Sequence, residues 1–74
     1  MKQPKEALAN LVKGADKQIL NNAVQDTYLI FLLQTCEREQ CLDQAFLDRV
    51  YQYANKDTAK HMNLLLVVSE ILVH

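Results

Sequence analysis

This chain of 74 residues has one proline, Pro4, and one glycine, Gly14. β-Turns and hairpins depend on those two residue types, because glycine supplies positive φ and proline pre-sets the first turn position. A chain nearly lacking both cannot reverse direction repeatedly in short steps, so hairpin-rich folds are disfavoured from the start. Pro4 itself suits the first turn of a helix, where its missing N–H costs nothing.

Apolar spacing divides the chain into four helices. Leu8, Leu11, Val12, Ala15 and Ile19 recur at i, i+3, i+4, i+7 and i+11, which predicts a helix over 4–20 with Glu6, Asn10, Lys13 and Lys17 outside. The stripe keeps phase across Gly14, so one continuous helix is expected; the rival parse makes Gly14 a left-handed cap and Asp16 the start of a new helix. Asn22, with Gln25 completing a capping box, reads as the N-cap of a second helix over 23–38. Its inner side carries Val24, Tyr28, Phe31, Leu32 and Cys36. Asp43 reads as the N-cap of a third, over 43–55, with Leu42 and Leu47 as a hydrophobic staple. Phe46, Val50, Tyr53 and Ala54 continue its inner stripe. Asp57 reads as the cap of a fourth, over 58–74. Leu64–Val68 has strand-like composition, but no second β-rich run exists to pair with it. The expected fold is all-α: a small four-helix antiparallel bundle, residues 1–74 forming a single helical domain.

The fourth helix carries the strongest constraint on packing. Met62, Leu64, Leu65, Leu66, Val68, Ile71, Leu72 and Val73 cover most of its circumference. Lys60, Asn63, Glu70 and His74 make one polar stripe with Val67 in its middle. A helix that apolar must be surrounded by other helices or covered by a partner. It is therefore expected innermost, with Leu65, Val68, Ile71 and Leu72 nearly inaccessible.

A domain this small hides only roughly 60% of the surface its unfolded chain exposes. With half of its residues apolar, it leans toward oligomerisation. In the second helix Ile30 sits among Asp26, Gln34 and Glu37, with Leu33 beside it. Ile30, Leu33 and Val67 are expected to form one apolar patch rimmed by Asp26, Gln34 and Glu37, closed by two-fold symmetry into a homodimer.

Residues that could carry chemistry are few. Cys36 and Cys41 stand five apart, a spacing that fits neither the CxxC redox motif nor a common zinc knuckle, and they are expected as thiols. His61 projects into the apolar side of its helix and reads as a satisfied core histidine. Together these supply at most three metal ligands, so no metal or other cofactor is expected. No nucleophile elbow, P-loop, dinucleotide turn or HExxH motif occurs. The chain is not expected to be an enzyme.

Net charge is −1 but unevenly spread. Over residues 1–20, Lys2, Lys5, Lys13 and Lys17 exceed Glu6 and Asp16 by two charges; over 26–48, five carboxylates oppose Arg38. These regions are expected to be solvated faces that attract one another weakly within the bundle; the alternative is a basic N-terminal face for an acidic partner. Neither a secretory signal nor a membrane span is readable, which points to a cytoplasmic protein that does not enter the membrane. The expected function is a small protein–protein interaction module: an adaptor, regulator or inhibitor. The alternative is a helix-turn-helix DNA reader presenting Gln44, Asp48, Gln52 and Asn55. Asp48 would repel phosphate there and only Arg49 is basic, so nucleic acid is not expected as a partner.

Overall fold

The computed structural model describes residues 4–73; Lys2 and His74 lie outside them. The protein is all-α, with α1 (Pro4–Leu20), α2 (Asp26–Arg38), α3 (Gln44–Asn55) and α4 (Met62–Leu72), and no strand among the described residues. α1 and α4 each pack on both α2 and α3, whereas the consecutive helices α2 and α3 do not form a major packing pair. Around the body the order is therefore α1, α2, α4, α3. The shortest dimension is 19 Å, about two helix diameters, so the four helices make two layers.

α1 runs unbroken through Gly14, and a methyl group placed there would meet nothing within 4 Å. Its C-terminus is closed by Asn22 in the left-handed region, φ 54°. The Asn22 N–H donates to Ile19 O at 3.1 Å and the Ala23 N–H to Gln18 O at 2.9 Å. That pair of bonds is a Schellman motif. Asn22 thus ends α1 instead of opening α2, because asparagine tolerates positive φ better than other non-glycine residues. α2 begins three residues later than expected, at Asp26, behind an N-cap Gln25 whose side chain makes no capping bond.

The same device ends α2. Gln40 has φ 58°, its N–H donates to Glu37 O at 3.0 Å, and the Cys41 N–H donates to Cys36 O at 2.9 Å. α3 then starts as expected, with Asp43 Oδ1 accepting from the Ala45 N–H at 3.1 Å. Asp57 accepts from the Lys60 N–H at 3.2 Å. It caps a run of turns over 57–61, and regular helix begins only at Met62.

Gly14→Ala and Gln40→Gly should move stability the same way for opposite reasons. Alanine at 14 removes about 1 kcal/mol of helix-interior penalty. Glycine at 40 relieves a left-handed conformation costing a side-chain residue about 1–2 kcal/mol, less the extra freedom it gives the unfolded chain. Urea melts of the two variants should each show a higher midpoint with an unchanged slope; a lower midpoint for either contradicts the local geometry.

α3 supplies the largest share of the core, with Phe46, Leu47, Val50, Tyr53 and Ala54 buried. α2 adds Leu29, Leu32, Leu33 and Cys36, α1 adds Leu8 and Ala15, and α4 only Leu64 and Val68. The expectation of an innermost α4 fails. Of its four residues named as inaccessible, Val68 alone is sealed; Leu65 and Ile71 are half-buried and Leu72 is 54% exposed. A body two layers deep has no central position, so each helix can turn only one face inward.

Candidate functional site

Asp26, Ile30, Leu33 and Glu37 share one side of α2, spaced i, i+4, i+7 and i+11. That side turns toward the start of α4, as the hydrogen-bonded contact between Asp26 and His61 shows. Leu33 is fully buried, and Ile30 and Val67 are half-buried against the core. The three apolar residues expected to make a dimer patch therefore belong to the monomer's own packing. Gln34 and Glu37 are exposed. Asp26 is not a rim residue of an open patch; it is engaged within the bundle. The reason is the helix order: α2 and α4 are neighbours, so apolar residues intruding on the polar side of α2 find cover inside the fold.

His61 closes this junction. Its Nδ1 lies 2.7 and 2.8 Å from the two carboxylate oxygens of Asp26. A carboxylate can only accept, so Nδ1 carries the proton. The imidazole is 6% exposed, and the Tyr53 ring stands against it with centroids 4.8 Å apart. The Tyr53 hydroxyl donates to Val24 O at 3.4 Å, and burial together with the Asp26 charge pushes its phenol above the usual range. No nucleophilic side chain joins this cluster, which reads as structural glue between the starts of α2 and α4. No group of three or more His, Cys, Asp or Glu converges among the described residues.

Exposed apolar side chains occur singly on the other helices, at Leu11, Leu20, Tyr51 and Phe31, the last expected on the inner side of α2, and gather on α4. Along α4 and its C-cap, Met62, Leu66, Ser69 and Val73 recur at i, i+4, i+7 and i+11 and face outward. Met62 and Leu66 are each 59% exposed and Val73 82%. Half-buried Leu65 and exposed Leu72 flank this stripe on its inner side. Exposed Glu70, at i+4 from Leu66, borders the stripe on its other side.

A second feature joins α1 to α3. Arg49 Nε and Nη2 donate to Asp16 Oδ1 and Oδ2 at 2.8 and 2.7 Å, a bidentate bridge. The bond from Asp16 holds the guanidinium even more firmly protonated than usual. Two grooves of about 350 Å³ each are lined in part by this pair. One lies toward Leu20, Gln52 and Lys56. The other includes Lys5, Lys13, Cys36 and Cys41. Cys36 is buried and Cys41 half-buried, and both are free thiols. Burial first, then the charge and hydrogen bond of Cys41, pushes the Cys36 thiol up to about 11. Their i, i+5 spacing is that of the two residues that meet side by side in a Schellman motif. Sequence reasoning missed this because glutamine is an unusual residue at the left-handed position between them. Comparison with protein-family models, with curated proteins and with solved structures found no match to this chain.

Proposed function

We propose that the protein is a non-catalytic protein–protein interaction module whose working surface is the outer face of α4, and that this face pairs with a second copy of the chain. The observation that supports it most is the exposed stripe of Met62, Leu66 and Val73. A helix apolar on nearly every side is either surrounded or covered. α4 is not surrounded within its own fold, which leaves a partner to cover it. The chemistry of the face favours a second copy. Two-fold symmetry brings each residue of a patch toward its own mate, so a patch of one charge repels itself. Met62, Leu66, Ser69 and Val73 carry no charge, and the bordering Glu70 lies at the edge, where it can stay in water when the stripe is covered. A homodimer of this kind would suit an adaptor or regulator that presents paired surfaces to a further protein.

Sedimentation equilibrium at micromolar concentrations tests the reading. The wild-type mass should rise from 8.5 kDa toward twice that value with concentration. Leu66→Glu should stay at the monomer mass with its helical circular dichroism intact, because Leu66 contributes little to the core. Wild type remaining at 8.5 kDa throughout would sink the dimer. The DNA-binding reading draws no support from α3, where Arg49 is engaged by Asp16 and the Gln44 side chain donates to Asp48.

A further inference from the structure

We propose that Cys36 and Cys41 form a redox pair, oxidised to an intramolecular disulfide by a small anionic disulfide that docks in the groove beside α1. The backbone brings the two residues together. The Cys41 N–H donates to Cys36 O at 2.9 Å. A carbonyl oxygen lies roughly 2.4 Å from its own Cα and an amide nitrogen about 1.5 Å from its own. The two Cα atoms are therefore no more than about 6.8 Å apart, inside the window that a disulfide spans. Both residues line one groove of about 350 Å³. Lys5 and Lys13 line it as well, and neither is ion-paired among the described residues; Asp16 there is neutralised by Arg49, and Asp43 is the remaining carboxylate, so the lining keeps a surplus of positive charge. These ammonium groups suit a disulfide whose arms carry carboxylates.

Accessibility fixes the order of events. Of the two, half-buried Cys41 presents far more surface to the groove than Cys36, which is 2% exposed. The Cys41 thiolate attacks one sulfur of the incoming disulfide RSSR, its S–S bond breaks, and RS⁻ leaves to take up a proton as RSH. A Cys41–S–SR bond has formed. Cys36 then loses its proton to solvent and attacks the Cys41 sulfur, expelling the second RS⁻, which also becomes RSH. The two protein thiols give up two electrons and two protons, and one RSSR becomes two RSH. Two of the three causes that hold Cys36 protonated come from Cys41. Burial, the largest cause, remains once Cys41 is in the mixed disulfide, while the two lesser ones go.

Glutathione disulfide serves as the probe, with acid quenching, alkylation and intact mass at timed intervals. Wild type should lose both alkylation sites together and end with no glutathionyl group. Cys36→Ser should accumulate one glutathionyl group on Cys41, and Cys41→Ser should remain an unmodified thiol at Cys36. Charge reversal at Lys5 and Lys13 together should slow the reaction several-fold with glutathione disulfide, and leave it unchanged with the neutral hydroxyethyl disulfide. Two alkylatable thiols in wild type at every ratio of oxidised to reduced glutathione would overturn the pair. Equal slowing with both probes, or none with either, would overturn the docking site.

Discussion

Leu64→Ala should remove about 2–5 kcal/mol of stability, whereas Leu65→Ala, one residue further on, should cost well under half as much. Leu64 is 0% exposed against α2 and α3, Leu65 is half-buried, and Leu66 is 59% exposed. Three consecutive leucines, stepped by about 100° each, thus sample core, boundary and solvent. Truncating the first leaves a cavity that its neighbours fill only in part. Truncating the second leaves a notch open to water, with no enclosed void. A small domain has about 5–15 kcal/mol in all, so Leu64→Ala alone consumes a large fraction of it. Urea midpoints should fall in the order Leu66→Ala, Leu65→Ala, Leu64→Ala, the last lowest. A Leu65→Ala variant as damaged as Leu64→Ala would mean that α4 is rotated from the orientation described.

This series also marks where the sequence stops being legible. Helices α1 and α3 were readable because their apolar stripes contrast with polar backs: Lys13 and Lys17 behind Leu8 and Ala15, Gln52 and Asn55 behind Val50 and Ala54. Asp43 was readable as a cap because an aspartate before an apolar stripe has little else to do there. α4 offers no such contrast. With Met62, Leu64, Leu65, Leu66 and Leu72 spread around it, periodicity cannot say which leucine faces in. The inward face is marked instead by His61, a buried polar residue whose partner Asp26 lies 35 positions earlier. Asn22 and Gln40 were obscured differently. Asparagine is equally good as a helix start or a left-handed helix end, and only the tertiary position of the following helix decides between them. The cover over Ile30 and Leu33 was hidden for a related reason: without knowing that α4 lies beside α2, these residues look exposed.

The second large effect is expected at the junction between α2 and α4. Asp26→Ala should cost about 2 kcal/mol, since it leaves the buried Nδ1–H of His61 without an acceptor. His61→Ala should cost at least as much. It strands a carboxylate whose side chain is 26% exposed, which water can partly rescue, but it also removes the ring packed on Tyr53. Asp26→Asn keeps an oxygen facing Nδ1 and loses the charge, so it should fall between wild type and Asp26→Ala. The decisive quantity is the coupling in a double-mutant cycle of Asp26→Ala and His61→Ala. Groups sharing charge-assisted hydrogen bonds in a partly desolvated site should couple by about 1.5–3 kcal/mol. A coupling below about 0.5 kcal/mol would put the pair in the range of an ordinary surface ion pair. The register of α4, and with it the outward direction of Met62, Leu66 and Val73, would then rest on Leu64 and Val68 alone. With a coupling in the expected range, the contact of His61 with Asp26 sets the rotation of α4. The apolar face available to a partner is then fixed from inside the bundle.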